Sequence, residues 1–396
     1  MPDLDWLLPT TGWLLLILWA IHALPIIPML WTHMLRTRTA GLPEPAEWPR
    51  LSVIVPARNE GEKVLAGLES LLASDYPNLE IIAVDDRSTD ETGRIMDRVA
   101  AANSRVRVIH IDELPAGWLG KNHAMHVGSQ AATGELLLFT DGDVLFAPEA
   151  LRLSVQYLLH AGIDHLTLNP QFVPGGYFEN SLLCYFGLIF LAGTQSWLVP
   201  TSYKRAYVGI GAFNMLRRTA YESFGGHRPL RLNVIDDVDL GWLVKQRGLR
   251  QRLLFSGDLV RVRWQDSFSG VVRGLEKNAF ASLQYSVRRL VVITILVCLM
   301  MYAPYVGACF ARGWDLVPFV ATLLMAHGVY GLIAYRAHVG WKVAPLLPFA
   351  GVCLMFAFWR SAVLTLRQGG VRWRDTFYPL EELRGAHAEL LRTTGN

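Results

Sequence analysis

Short apolar runs alternate along this chain with stretches whose apolar positions recur every three or four residues. Residues 51–55, 80–84, 105–111 and 135–139 read as strands. Between the first two strands Val64, Leu65, Leu68, Leu71 and Leu72 fall at helical spacing, and Ile95, Met96 and Val99 do so after the second. This alternation predicts an α/β unit with a mostly parallel sheet covered by helices on both faces. A helix over 148–161 and a strand over 165–168 continue it. Ligands of such sheets sit beyond the carboxyl ends of the strands. Pro56-Ala-Arg58-Asn59-Glu60, Asp85-Asp86 and Asp141-Gly-Asp143 all fall at those ends.

A second pattern has no period at all. Residues 6–31 and 290–310 contain no Asp, Glu, Lys or Arg, residues 316–335 carry only His327 as a titratable base, and residues 343–366 carry only Arg360. Each can cross a hydrocarbon core that needs about 20 residues. The first follows Asp3 and Asp5 instead of a basic leader and lacks a small-residue cleavage site, so it reads as an anchor and not as a signal peptide. Arg36 and Arg38 follow it, and Arg288 and Arg289 precede the next apolar run. The positive-inside rule therefore places the intervening stretch in the cytoplasm of a multi-pass cell-membrane protein. Three further crossings would put the basic residues Arg367, Arg372 and Arg374 outside, against the same rule. Either one apolar segment is re-entrant near Pro345 and Pro348, or the tail is an exception. Residues 181–199 also lack charge; a helix lying on the membrane is the preferred reading, because a crossing there would separate Asp143 from Asp237.

The expected organisation is an anchor (1–35), a Pro-rich linker (36–50), the α/β domain (51–265), an amphipathic interfacial segment (266–289), about three transmembrane helices (290–366) and a basic tail (367–396). Composition agrees with a membrane partner: 52% of the 396 residues are hydrophobic, against roughly 45 to 50% in an average soluble domain. A net charge of +3, with no basic aromatic stripe, excludes nucleic acid as a partner. The four cysteines have no paired spacing and read as small hydrophobes.

An isolated Asp-x-Asp says little, since about one or two arise by chance in a chain of this length. Context separates the three present. Asp141-Gly-Asp143 follows four apolar residues and precedes Pro148 and a helix, so its carboxylates emerge from a buried strand edge. Oxygen ligands on alternate residues suit Mg²⁺ or Mn²⁺ carrying a diphosphate. Asp85-Asp86-Arg-Ser-Thr-Asp90 supplies helix caps. Two acids before a cap are more than capping needs, and a carboxylate there can accept from a base or ribose. Gly120-Lys121-Asn122 puts a cation ahead of a helix, where phosphate oxygens bind. Asp236-Asp237-Val-Asp239 crowds like charges, which raises their pKa and suits one of them to act as a general base.

As a set, these motifs resemble the membrane-bound family 2 glycosyltransferases. The match runs from residue 51 to about 264 and includes Val-Asp85-Asp86-x-Ser88-x-Asp90-x-Thr92, Gly120-Lys121-Asn122, Thr140-Asp141-Gly142-Asp143, Gly225-Gly226-His227 and Asp236-Asp237-x-Asp239-Leu240. The resemblance implies a GT-A fold and inverting transfer from a nucleotide-diphosphate sugar, with UDP as the nucleotide. It implies that Pro56, Arg58, Asn59, Glu60, Asp85 and Asp86 hold the nucleotide, that Asp143 and Asp141 hold the metal, and that Asp237, beside Asp236, is the base; from the residues themselves, Lys121 and Asp141 are expected on the nucleotide's phosphate side. Processive polysaccharide synthases and ceramide glucosyltransferases carry Gln or Arg, two residues, then Arg-Trp after the base. This chain lacks that pentapeptide, which favours transfer of one sugar to a membrane lipid, as in hopanoid- or carotenoid-type relatives, over polymer synthesis. A silent sugar-nucleotide-binding scaffold is the alternative outside catalysis, and it would have no need of Asp237.

Overall fold

A computed structural model describes residues 7–265 and 267–394. Asp3, Asp5 and residue 266, where the interfacial segment is expected to begin, lie outside them. The chain divides into two compact units.

One unit holds residues 32–173, 198–263 and 381–396. Its sheet has eight strands: β1 (Leu51–Ala57), β2 (Leu79–Asp86), β3 (Val106–Ile111), β4 (Leu136–Phe139), β5 (Val144–Phe146), β6 (His165–Phe172), β7 (Asn214–Arg217) and β8 (Gln251–Val262). They lie in the order β3-β2-β1-β4-β7-β6-β8-β5. The first four are mutually parallel, with Ala57 opposite Asp85 and Ile54 opposite Phe139. β7 runs antiparallel to both β4 and β6. The sheet is mostly parallel and apolar on both faces. Val53 and Val55 of β1 pack with Val64, Leu68 and Leu71, whereas Ile54 joins Ile82, Val84, Met125 and Leu137 on the other side. Alternate residues of one strand thus feed two cores, which is why the strand reads as an uninterrupted apolar run.

The antiparallel strand fixes the site. Asn214, the first residue of β7, lies opposite Phe139, the last of β4, so the loop entering β7 arrives at the edge where β4 delivers Asp141 and Asp143. The C-terminal helix Leu380–Thr394 was expected only as a basic tail; from residue 381 it belongs to this unit. Leu390 is buried in the Ile54 core, and Glu389 pairs with Arg231 at 2.8 Å.

The other unit holds the apolar helices. Among the described residues, four helical segments are long and apolar enough to cross a membrane: Leu7–Thr32, Val287–Phe310, Gly313–Arg336 and Trp341–Gln368. The first is interrupted between Ala23 and Ile26, at Pro25, which lacks the amide a continuous helix needs. Trp13, Leu14, Ile17, Leu296, Leu299, Leu324 and Phe356 are exposed on these helices, an apolar surface wider than a water-facing protein carries. Small residues let the helices approach, as at Gly12 and Gly307, where any Cβ would strike Pro318 or Phe319. In the 181–199 stretch the helix is Tyr177–Gly193. Its 17 residues span about 25 Å, short of a core of about 30 Å. Phe268–Ser282 forms the helix expected ahead of the apolar run.

Candidate active site

The loops after β1 and β2 are built as one piece. Asn59, with a left-handed φ of 52°, receives the Thr89 amide at its Oδ1 (2.8 Å) and donates its own amide to Ser88 Oγ (3.1 Å). The amides of Glu60 and Gly61 both donate to Thr92 Oγ1 at 2.9 Å. Pro56 and Ala57 end the buried run, and Arg58, Asn59 and Glu60 follow partly exposed. The Ser/Thr-rich motif after Asp86 therefore does more than cap a helix: its hydroxyls set the path of the neighbouring loop.

Asp85 and Asp86 are both buried and both partnered. Asp85 accepts from the Ser88 amide at 3.1 Å and meets His110 Nδ1 at 3.0 Å, while the far nitrogen of His110 reaches Asp97 at 2.9 Å. Those two carboxylates raise the His110 pKa. Asp86 forms a two-pronged pair with Arg87, at 2.8 and 3.1 Å. Gly120 opens the helix Gly120–Ala131 directly against this pair. A Cβ there would stand 2.3 Å from Asp86 Oδ2 and 2.7 Å from Arg87 Nη2, so only glycine fits.

Lys121 lies at the centre of the acidic residues. Its Nζ is 2.6 Å from Asp141 Oδ1. Burial pulls its pKa down, but Asp141, Asp236 and Asp237 together outweigh burial and raise it. The third residue of that motif is structural: Asn122 is buried and its Nδ2 donates to the carbonyls of Leu230 (2.6 Å) and Asn233 (2.8 Å). It thereby tethers the segment that leads into the helix Asp236–Gln246. Gly225-Gly226-His227 is structural as well. His227 is buried against Phe139 and bonded to Tyr221 Oη at 2.7 Å, and burial, then His126 and Lys121, push its pKa down to about 3.

Asp237 sits in the first turn of its helix and is held on both oxygens. Gly211 donates its amide to Oδ2 at 2.8 Å, and Val238 donates to Oδ1 at 2.9 Å. Burial raises its pKa and Asp141 adds to that, whereas Lys121 and the two amides oppose it; the net direction is up. Asp236 is buried beside it, and Asp239, bonded by Asn233, is pushed up to about 6 chiefly by burial.

The sequence reading missed the loop that enters β7. A Cβ on Gly209 would lie 1.7 Å from the Asp237 carbonyl oxygen, and one on Gly241 would lie 2.0 Å from the Val208 carbonyl oxygen, so glycines let loop and helix touch. A Cβ on Gly211 would come within 2.9 Å of Asp141 Oδ2, 3.3 Å of Lys121 Nζ and 3.4 Å of Asp237 Oδ2. Lys121, Asp141 and Asp237 thus converge on the space that Gly211 keeps clear. Gly209-Ile-Gly211 was the available signal, but nothing local ties it to Asp237.

The fit of a divalent cation can be judged from the acids themselves. Among the described residues no three His, Cys, Asp or Glu side chains form a metal-holding group. Asp143 is nevertheless pushed up to about 6, by burial first and then by the charges of Asp141 and Glu60. That is negative charge short of a counter-ion. Mg²⁺ characteristically takes one or two carboxylates and completes its shell with water and substrate phosphate, so Asp141 and Asp143 suit it without a third protein ligand.

The chain is similar to known glycosyltransferases. Residues 52–225 match the model of the family described as Glycosyl transferase family 2. The 4,4'-diaponeurosporenoate glycosyltransferase of Staphylococcus aureus (strain N315) is 23% identical over 363 residues, which cover 88% of this chain and 92% of that protein. Its counterpart in strain MRSA252 is also 23% identical, over 364 residues. Among solved structures, the mannosyltransferase PcManGT from Pyrobaculum calidifontis, in complex with GDP-Man and Mn²⁺, superimposes with a TM-score of 0.53 at 20% identity. It covers 91% of this chain and 99% of its own, so the two share the GT-A fold.

Proposed function

We propose that this glycosyltransferase, whose family 2 domain forms the core of the α/β unit, moves one sugar from a UDP-sugar to the hydroxyl of a membrane lipid and inverts the anomeric centre. The observation that carries this reading is the convergence of Lys121, Asp141 and Asp237 on the space at Gly211. Transfer needs charge to meet the leaving group and a base to take the acceptor's proton; Lys121 with Asp141 suits the first role and Asp237 the second.

Pro56, Arg58, Asn59 and Glu60, with Asp85 and Asp86, form the nucleoside side of the site. Lys121 and Asp141 take the diphosphate side, and Asp141 with Asp143 would hold Mg²⁺ or Mn²⁺. Such an ion, when bound, supplies positive charge that neutralises the departing diphosphate. Asp237 accepts the proton of the lipid hydroxyl as that oxygen bonds to the anomeric carbon and the bond from that carbon to the diphosphate breaks, its electron pair leaving with UDP. The Gly211 and Val238 amides aim both oxygens of Asp237. Burial makes it a stronger base than a free carboxylate. Asp236 acts on Asp237 through the cation they share.

Two observations support a lipid acceptor. The staphylococcal relative that aligns over 88% of this chain is named for glycosylating 4,4'-diaponeurosporenoate, and four helical segments suit a bilayer. Arg36, Arg38, Arg288 and Arg289 support a cytoplasmic position for the α/β unit.

Asp237→Asn tests the assignment. It is expected to leave metal-dependent UDP binding nearly intact and to lower transfer by about 10² to 10⁴, whereas Asp143→Ala loses both. Near-normal transfer by the Asn variant would show that another group is the base.

A further inference from the structure

We infer that the last apolar segment does not cross the membrane: Trp341–Gln368 dips to mid-depth and returns, so that only Val287–Phe310 and Leu316–Arg336 span after the catalytic domain, and the C-terminus lies on the domain's side. The inference requires only that these helices lie in a bilayer and is independent of the reaction assigned above.

The depth of each residue is set by its neighbours. Trp19 Nε1 donates to the Met300 carbonyl (2.7 Å) while Gly12 lies against Phe319. The first helix therefore runs antiparallel to Val287–Phe310, and residues 287 and 31 share one end. Arg336 lies over the Trp31 ring at 5.6 Å, so Leu316–Arg336 returns to that same end, where the chain continues into the α/β unit at Thr32. The 3₁₀ turn Trp341–Leu346 then runs back along the helix it has just left. Gly331 faces the Trp341 ring, and His327, midway along its helix, bonds the Ala344 carbonyl at 2.8 Å. From that depth Leu347–Gln368 climbs antiparallel to Val287–Phe310. Tyr302 Oη donates to the Pro348 carbonyl (3.0 Å), Trp359 Nε1 to Thr294 Oγ1 (3.0 Å), and the Phe280 amide to Ser361 Oγ (3.0 Å). The first two contacts meet successively earlier residues of Val287–Phe310 and the third meets the helix before it, Phe268–Ser282, so the rising helix exits at the end where residue 287 enters.

Backbone that breaks helix geometry inside a bilayer survives only where protein groups satisfy it. Tyr305 Oη bonds His327 Nε2 at 2.6 Å, and His327 and Tyr302 satisfy the carbonyls of Ala344 and Pro348 on either side of the break. These polar side chains, otherwise costly at mid-membrane, have a use there. Chain parity agrees independently. The segment from residue 381 is packed within the α/β unit, with Leu390 in its core, so the chain between residues 263 and 381 crosses an even number of times. Arg288, Arg289, Arg336, Arg367, Arg372 and Arg374 then share the domain's side, and the distal turn carries only Arg312 beside Asp315.

Single cysteines in a full-length variant lacking the four native ones test the topology in sealed vesicles with a membrane-impermeant maleimide. Cysteines replacing Glu62, Asp375 and Gly385 are expected to label together in one vesicle orientation, and one replacing Trp314 only in the other. Labelling of Asp375→Cys and Gly385→Cys with Trp314→Cys would establish three crossings and overturn the inference. Labelling of Trp314→Cys with Glu62→Cys would overturn it as well, by removing the two spans. The unmodified chain gives a second reading: protease should remove a C-terminal epitope only in the orientation in which it also cuts the α/β unit, and removal in the opposite orientation would contradict the re-entrant segment.

Discussion

The two halves of the catalytic edge differ in how their acids are satisfied. Beyond β2, Asp85 has the Ser88 amide and His110, and Asp86 has Arg87. Beyond β4 and at the start of the helix Asp236–Gln246, burial and like charges push Asp143 and Asp237 upward, with Lys121 as the cation they are arranged around. The first half is complete by itself, in keeping with the nucleoside-holding role proposed for it. The second half holds negative charge in excess, which a cation and a transferred proton would relieve. An acid's neighbours, more than its presence at a strand end, separate recognition from chemistry.

The sharpest way to break this contrast is Gly211→Ala. A methyl placed 2.9 Å from Asp141 Oδ2 and 3.3 Å from Lys121 Nζ must displace that pair, and a misplacement of about 1 Å costs roughly 10²-fold in transfer. Measured UDP binding should fall far less. If transfer is unchanged, the convergence on Gly211 is irrelevant to the reaction.

Lys121→Met comes next. Removing the cation that lowers the Asp237 pKa should move the acid limb of the pH–rate profile to higher pH and weaken donor binding. An unshifted acid limb would detach Lys121 from the base.

A smaller effect separates the halves thermodynamically. Because the folded-state pKa of Asp143 is raised to about 6, the folded chain binds more protons than the unfolded one between about pH 4 and pH 6. Its contribution to stability is therefore present at low pH and lost as pH rises through about 6. Mg²⁺ or Mn²⁺ should raise Tm by a few degrees at pH 7.5 and hardly at pH 5, on the scale of about 1 kcal/mol per few degrees. Asp143→Asn should raise the metal-free Tm at pH 7.5 and abolish the metal response.

The smallest change is expected in the satisfied half. His110 is well exposed, and its pairs with Asp85 and Asp97 resemble surface ion pairs worth about 0 to 1 kcal/mol. His110→Ala should alter UDP affinity less than about fivefold, and only at pH values where the imidazole is charged. A larger loss would mean that Asp85 depends on His110 for its aim.

The sheet, its covering helices and the strand-end placement of the acids were legible because each depends on local periodicity. β1 alternates Val53, Ile54 and Val55 between two cores, and that pattern needs no partner to be read. Asn122 and His227 show the limit: both stand in motifs that resemble chemistry, yet one tethers residues 230–233 and the other packs neutral beneath β4. The tail's place in the α/β unit was equally hidden, since Leu390 looks like any apolar residue of an amphipathic helix.

By itself the sequence determined which acids emerge from buried strands and which segments are too apolar for water, because burial along a strand and transfer into a bilayer are read residue by residue. Only the tertiary structure decided which acids are partnered, that Gly211 stands beside Asp141, Lys121 and Asp237, and where the last apolar segment turns. Those outcomes depend on the antiparallel entry of β7 and on side chains such as His327 and Tyr302 reaching carbonyls remote in the chain. Contacts between distant residues carry no periodic signature, so they appear only once the chain has folded.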